Sequence, residues 1–172
     1  VADLKPGHLT YARAQANFAA NRRSPPGPVD HDLPVLFITD DQGKVRGVWT
    51  SYACHCTTMT AAYNVVCGDW AGFAMSELEQ EYPGAVALIT IGCGGDSNPS
   101  PRPGEELARA HAHNLATNVT SAWRKGGKAV NGKLVCRART IQLAYDKIPS
   151  REEYGKRLTE VTNQTSKFVA AH

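Results

Sequence analysis

One apolar run, residues 85–92 (AVALITIG), constrains the fold of this chain more than any other stretch. Its length suits a strand, and apolar residues that follow one another without alternation are typical of a strand covered on both faces. Predicted helices precede and follow it, at residues 68–82 and 105–124. Strands that alternate with helices predict an α/β fold, in which a mixed sheet is flanked by helices.

Turn residues and composition divide the rest of the chain. Residues 34–40 and 45–54 predict the two strands of a hairpin, because the Asp-Gln-Gly sequence between them favours a turn. The Pro-rich run RRSPPGP (residues 22–28) excludes a helix interior and predicts a rigid loop. The remaining predictions are a helix over residues 4–20, a strand over residues 133–145 and a charged helix from Pro149 to about Ala170.

Composition excludes several classes of protein. The 172 residues are 42% apolar and 20% charged, which suits one globular domain or part of a larger one. The net charge is +3 and the nineteen basic residues are scattered, so a nucleic-acid interface is not indicated. No apolar run approaches the ~18 residues that a membrane span needs. Because the chain starts at Val1 without a hydrophobic signal core, we expect it to be an excerpt of a longer protein.

Polar residues cluster where two of the predicted strands end, and in α/β domains such positions commonly carry function. The first cluster is the Cys-His-Cys-Thr-Thr segment around His55. The second is the glycine-rich loop GCGGDSNPSPR, which supplies Asp96, Asn98 and Arg102. Its glycines permit close approach of backbone N–H groups to a ligand. No Gly-Lys-Ser/Thr follows, so a phosphate-binding loop is not indicated.

Spacing by itself leaves the role of His55 open between a metal ligand, a catalytic base and a structural histidine. His111 and His113 lie two residues apart on a predicted helix, so their side chains diverge. No H-E-x-x-H, G-x-S-x-G or paired-carboxylate motif is present. The residues alone indicate one possible site, made of His55, Asp96, Asn98 and either Arg22 or Arg23.

The five cysteines are an odd number, which excludes a complete set of disulfides within the chain. Cys54 and Cys56 flank His55 on a predicted strand, so we expect both on one face, opposite His55. The favoured interpretation is that they are small buried apolar residues. A zinc site that adds Cys67 or Cys93 is the weaker alternative, because no pair has the C-x2-C spacing of structural zinc.

Four segments between residues 21 and 102 follow one another in an order known from a protein family. They are NRRSP, VDHDLPVLFITDDQGKVRGVWTSYACHCTTM, NVVCGDWAGFAMSELEQ and IGCGGDSNP. Together they resemble the neutral/alkaline (non-lysosomal) ceramidase family, which has an NRSP-like loop, a V-D-x-D strand, a histidine segment, a helix start and a G-D-V-S-P loop. The resemblance implies that residues 1–172 are part of a larger N-terminal catalytic domain.

The resemblance also implies roles for single residues. His55 matches a histidine that binds the catalytic zinc. Arg22 or Arg23 matches an arginine near the scissile amide, and the extra arginine leaves the register between the two open. The remaining matches are Thr57, Thr58 and Met59 in a T-S-M segment, Asp69 and Gly72 at the helix start that lines the site, and Asp96 and Pro99 in the G-D-x-x-P loop.

Asn98 departs from the family pattern. It falls on the position of the serine that is proposed as the family's nucleophile, whereas Ser97 lies one residue early and would face the other way in an extended loop. An asparagine cannot form an acyl-enzyme, but its amide can donate to a developing oxyanion. Zinc-bound hydroxide is then the expected nucleophile, because zinc lowers the pKa of bound water to about 7. With Asn98 in place of the serine, amide hydrolysis is still expected, but the resemblance no longer implies that ceramide itself is the substrate.

The leading interpretation is therefore a zinc-dependent hydrolase of an N-acyl amide bond in a small molecule or lipid. The resemblance places it in sphingolipid or lipid metabolism, with a secreted or periplasmic location. It also implies zinc ligands outside this chain, one histidine upstream and a Glu and a Tyr downstream, so the fragment alone should bind zinc poorly and be inactive. The alternatives are an inactive, binding-only relative and a thiol enzyme that uses Cys93 with His55.

Overall fold

The computed structural model of the chain describes residues 4–145 and 148–160. Two compact units divide the chain, residues 1–132 and residues 133–172. Within the described ranges, no helix is long and apolar enough to cross a membrane. The elements are β1 (His8–Gln15), β2 (Ala19–Asn21), β3 (Asp32–Thr39), β4 (Val45–Tyr52), α1 (Asp69–Glu81), β5 (Val86–Ile91), β6 (Ser97–Pro99), α2 (Glu105–Arg124), β7 (Lys128–Val130) and α3 (Arg151–Glu160).

The first unit is built on a five-stranded sheet with the strand order β5-β4-β3-β1-β7. Strands β3 and β4 form the predicted hairpin, and Gly43 takes the positive φ of +78° that its turn requires. Strand β5 pairs with β4 in parallel, after the chain has crossed over through α1. The predicted α/β fold with a mixed sheet and flanking helices is confirmed.

The helix predicted over residues 4–20 is wrong. Residues His8–Gln15 form β1, which pairs antiparallel with β3 from His8 opposite Thr39 to Gln15 opposite Asp32. The alanines of this stretch favour a helix, but Ala12 is buried between the exposed Tyr11 and Arg13, which is the alternation of a strand. Pairing with β3 therefore outweighs the local propensity.

Helices α1 and α2 cover one face of the sheet and pack against each other. Trp70, Ala74 and Leu78 of α1, and Leu115 and Val119 of α2, are all fully buried or nearly so. They belong to one apolar cluster with the inward-facing residues of β3 and β4. This core fixes the ends of the strands, from which the candidate site is built.

The opposite face of the sheet is open in the described part of the chain. Trp49 in β4 and Val86 and Leu88 in β5 are exposed, although all three are large and apolar. The strand predicted over residues 85–92 is thus present, but the inference that both of its faces are covered is wrong. As an edge strand, β5 buries Ala87 on the side of α1 and leaves its larger residues on the open side.

The second unit contains α3, which begins after Ser150. The Ser150 hydroxyl accepts the N–H of Glu153 (3.2 Å) and the Glu153 carboxylate accepts the N–H of Ser150 (2.6 Å), a reciprocal helix cap. The predicted strand over residues 133–145 is wrong, because these residues pair with no strand among those described. The predicted end of the last helix, near Ala170, lies outside the described residues.

Candidate active site

Strands β4 and β5 run parallel and end side by side, and the loops that follow them form the candidate site. Their ends are tied together, since the Gly92 N–H donates to the carbonyl oxygen of Tyr52 (3.0 Å). The loop after β4 carries His55, and the loop after β5 leads into β6 with Asn98. The His55 N–H donates to the carbonyl oxygen of Ser97 (3.0 Å), so a direct hydrogen bond joins the two loops.

Close packing of the two loops requires a glycine at position 94. A Cβ atom there would lie 2.6 Å from the backbone nitrogen of Cys54 and 2.7 Å from the carbonyl carbon of Ala53. Real Cβ atoms do not approach other atoms so closely. Gly94 thus permits the close packing of this loop against the His55 loop.

The side chain of Asn98 lies between the two loops. The Thr57 hydroxyl donates to its Oδ1 atom (3.2 Å), and Asn98 is only 9% exposed. Arg102 in turn donates to the carbonyl oxygen of Thr57 (3.4 Å). Because Oδ1 is engaged, Nδ2 is the group of Asn98 that remains to donate to a ligand, and no described residue accepts from it.

Ser97 and Asp96 face away from this position. Ser97 is 2% exposed, and its hydroxyl donates to Oδ1 of Asp96 (3.3 Å). The other carboxylate oxygen of Asp96 accepts from Nδ2 of Asn21 (2.9 Å). Both oxygens of Asp96 are therefore engaged inside the protein, which favours a positioning role for this carboxylate.

Asn21 was not singled out by sequence reasoning, and it holds the Pro-rich loop against the candidate site. Its Oδ1 accepts the N–H groups of Arg23 (2.9 Å) and Ser24 (3.0 Å), and its Nδ2 donates to the Pro28 carbonyl (3.0 Å) as well as to Asp96. All four hydrogen bonds that an asparagine amide can make are formed. The sequence feature that could have identified Asn21 is its position directly before the Pro-rich run, because asparagine side chains commonly bond to the backbone of a following turn.

The structure distinguishes the two candidate arginines. The guanidinium of Arg22 donates to the carbonyl oxygen of Gly95 through Nε (3.3 Å) and Nη2 (2.9 Å), and its backbone N–H donates to the carbonyl of Asp96 (2.7 Å). Among the described residues, Arg23 is bonded only through its backbone N–H, to Asn21. Arg22 is thus the arginine that contacts the glycine-rich loop.

His55 is held by its backbone, and one of its ring nitrogens has no partner. Its carbonyl oxygen accepts from the Trp70 indole (2.9 Å) and from the Cys54 thiol (3.6 Å). Its Nε2 atom is buried, and no described residue bonds to it. A buried imidazole nitrogen without a partner suits a metal ligand, but no group of three His, Cys, Asp or Glu among the described residues could hold an ion. His55 fits zinc as one ligand of an incomplete set.

The first residue of α1 ties this helix to the His55 loop. The Asp69 carboxylate accepts the backbone N–H groups of Met59 (2.8 Å) and Trp70 (2.7 Å), and Asp69 is 4% exposed. Its φ of +53° lies in the left-handed region, which is uncommon for a residue other than glycine. The segment containing Thr57, Thr58 and Met59 is therefore fixed at its far end by the helix.

The cysteines do not form a reactive pair. Strand β4 ends at Tyr52, so the expectation that Cys54 and Cys56 share a strand face is wrong: Cys54 is buried in the core and Cys56 is exposed. Burial raises the pKa of the Cys54 thiol to about 12. Cys54 is therefore protonated near neutral pH. No hydrogen bond joins Cys93 to His55 in the described structure.

The fold with its site can now be compared with known proteins. No protein-family model matches the chain, and no curated protein matches it. A solved neutral ceramidase from Pseudomonas aeruginosa is similar over 77% of this chain and 25% of its own, with 22% identity and a TM-score of 0.67. A ceramidase complexed with C2 is similar over 77% of this chain and 24% of its own, with 22% identity and a TM-score of 0.69. The chain thus spans about a quarter of the length of these structures. The resemblance carried by residues 21–102 is confirmed at the level of the fold, and this chain has the fold of part of a neutral ceramidase.

Proposed function

We propose that this chain forms part of a zinc-dependent hydrolase of an N-acyl amide bond, ceramidase-like, in which Asn98 replaces the family's serine. One observation carries the proposal: His55, with its buried and unpartnered Nε2, lies in a loop that is bonded directly to the strand carrying Asn98. The likeness to ceramidases supports a lipid amide as the substrate and a secreted or periplasmic location.

Asn98 is the residue that acts on the substrate carbonyl. Thr57 fixes its Oδ1, so Nδ2 donates to the oxygen on which negative charge develops. Such a donor contributes about 10²–10³ in rate when it is fixed before the reaction begins. Arg22, anchored on the Gly95 carbonyl, supplies positive charge beside the same loop. Asp96 holds this loop to Asn21 and does not act as a base.

His55 would hold the zinc through Nε2, together with ligands from the rest of a longer chain. When bound, the zinc would supply a nucleophilic hydroxide at neutral pH. Hydrogen bonds at the carbonyl oxygen and the N–H of His55, from Trp70 and to Ser97, fix the backbone from which the imidazole projects. The thiol alternative, Cys93 with His55, is less well supported, because no hydrogen bond joins these two residues in the described structure.

The test uses the full-length protein and a panel of N-acyl amides. His55→Ala should abolish zinc-dependent hydrolysis, and Asn98→Ala should lower kcat by about 10²–10³. His113→Ala is the matched control, because His113 is an exposed histidine on α2 that pairs with Glu77 (3.0 Å), and it should leave the rate unchanged.

Three outcomes would overturn the proposal. Full-length protein that hydrolyses no amide in the panel with zinc bound would favour the inactive, binding-only relative. An active His55→Ala variant would return His55 to a structural role. Loss of activity on thiol alkylation, with zinc content unchanged, would favour the enzyme that uses Cys93.

A further inference from the structure

Arginines in the first unit fall into two groups according to what they bind. Four of them pair with carboxylates: Arg13 with Asp32, Arg46 with Asp40 (2.8 Å), Arg109 with Glu105 (2.7 Å) and Arg124 with Glu81 (2.9 Å). The other three, Arg22, Arg23 and Arg102, are exposed and have no carboxylate partner among the described residues. All three lie in the loops around Asn98.

Two of these guanidinium groups are held in place by neutral partners. Arg22 donates to the carbonyl oxygen of Gly95 (2.9 Å) and Arg102 to that of Thr57 (3.4 Å). A carbonyl oxygen orients a guanidinium without cancelling its charge. Each group therefore keeps its positive charge and further N–H donors while it is held on the loops that carry Thr57 and Asn98.

The acidic residues of the same loops do not neutralise this charge by direct contact. The Asp96 carboxylate is bonded to Asn21 and Ser97, and the Asp69 carboxylate to the backbone of Met59 and Trp70. Neither carboxylate contacts Arg22 or Arg102 in the described structure, so N–H groups of both guanidiniums remain available to a ligand. A planar guanidinium matches the two oxygens of a carboxylate or phosphate, which makes an anionic group the fitting ligand.

We propose that Arg22 and Arg102 bind an anionic group, a carboxylate or a phosphate, on the substrate whose amide meets Asn98. This proposal rests on the proposed function and narrows its substrate class. A groove of about 250 Å³ next to Met59, lined also by Ala62, Tyr63 and Pro103, is suited to the acyl chain. The anionic group then belongs to the amine part of the amide, and the preferred substrate is an N-acyl amide with a charged amine end.

The test compares substrates that share the octanoyl chain and differ in charge at the amine end: N-octanoylglycine, N-octanoylethanolamine and N-octanoylphosphoethanolamine. The full-length protein should have a kcat/KM for one of the two anionic amides at least about tenfold above that for the neutral one, and whichever it prefers identifies carboxylate or phosphate. Arg102→Gln should remove about tenfold of this preference, because it should lower the rate for the anionic amides about tenfold more than the rate for the neutral amide. Arg22→Gln should lower the rate for the neutral amide and should lower the rates for the anionic amides more strongly. Arg124→Gln removes the same charge on α2 and serves as the control.

The experiment distinguishes the absence of an anion site from the absence of hydrolase activity. Hydrolysis of all three amides at equal kcat/KM, insensitive to Arg102→Gln, would overturn the anion site and leave the hydrolase standing. If no amide is hydrolysed, the dissociation constants of the same three compounds decide. Tighter binding of an anionic compound that Arg102→Gln weakens would support the anion site, and equal binding of all three would refute it.

Discussion

The hydroxyl of Thr57 donates to Oδ1 of Asn98 across a distance of 3.2 Å, from a loop after β4 to a strand after β5. This bond decides which end of the asparagine amide is available. An amide has one acceptor end and one donor end, so fixing the acceptor presents the donor. The orientation that oxyanion stabilisation needs is thereby built into the pairing of two loops.

Removing the Thr57 hydroxyl should lower activity without removing Asn98. In the full-length protein we expect Thr57→Val to reduce kcat by about tenfold, because the amide of Asn98 then loses its fixed orientation. Thr57→Ser keeps the hydroxyl and should restore most of the rate, with KM nearly constant throughout. If Thr57→Val and Thr57→Ser are equally impaired, the role of Thr57 is packing.

Ser97→Ala should leave catalysis nearly intact. The Ser97 side chain is buried and donates to Asp96, so it is not available as a nucleophile. We expect kcat to change by less than about threefold, and the free energy of unfolding to fall by about 1 kcal/mol through the lost hydrogen bond. Steady-state kinetics with urea unfolding measures both quantities. An inactive but folded Ser97→Ala protein would reverse the assignment of Asn98.

Tyr52→Phe should destabilise the fold. The Tyr52 hydroxyl donates to the carbonyl of Ala16 (3.0 Å) and accepts the N–H of Ala19 (3.1 Å), where all three residues are buried. Removing it leaves both backbone groups unpaired, and the free energy of unfolding should fall by about 2 kcal/mol. Tyr11→Phe on the exposed face of β1 is the control, with an expected change close to zero. Equal urea midpoints for both variants would contradict this account.

Alkaline pH should weaken the fold through Cys54. Burial raises the pKa of this thiol to about 12 in the folded state, from about 9. A raised pKa means that the folded state keeps the proton when the unfolded state has lost it. The stability that the protonated Cys54 thiol contributes is complete below pH 9 and is lost as the pH rises towards 12. The free energy of unfolding should therefore fall over this range. Urea midpoints between pH 8 and 11 should show a shallower decline in Cys54→Ala than in the parent.

Residues 1–172 on their own should show no tight zinc binding. The described residues offer His55 but no complete group of ligands, and a catalytic zinc needs about three protein ligands. Calorimetry with Zn²⁺ should find no stoichiometric site of high affinity. Tight binding that the removal of Cys54 or Cys56 abolishes would show that the cysteines were undervalued as ligands.

Elements whose sequence pattern agrees with their packing were predictable. Helix α2 was predicted at Glu105–Arg124, as it is found, because its apolar residues recur with the helical period and face the core. The hairpin of β3 and β4 followed from a turn sequence between two apolar runs. In both cases local sequence and tertiary contacts favour the same conformation.

Elements that depend on a distant partner were not predictable in this way. The stretch from His8 to Gln15 is a strand only because β3 lies beside it, and no local pattern reports that neighbour. The same holds for the candidate site: single residues such as His55 and Asn98 could be named in advance, but not the bond from Thr57. Two of the four contacts of Asn21 are local, but its bond to Asp96 joins positions 75 residues apart and depends on the complete fold.

Parallel pairing of β4 with β5 positions the candidate site without any contribution from the surface segment beside it. The strands fix His55 relative to Asn98, whereas residues 60–67, which lead from the His55 loop to α1, contribute to neither strand. Val65 and Val66 in that segment are exposed, and Tyr63 borders the apolar groove. Exchanges in residues 60–67 change the surface next to His55 and Asn98 but not the strand pairing that positions them. Under the proposed function, an exchange of Tyr63 would therefore change what the groove accepts while the strands that hold His55 and Asn98 stay paired.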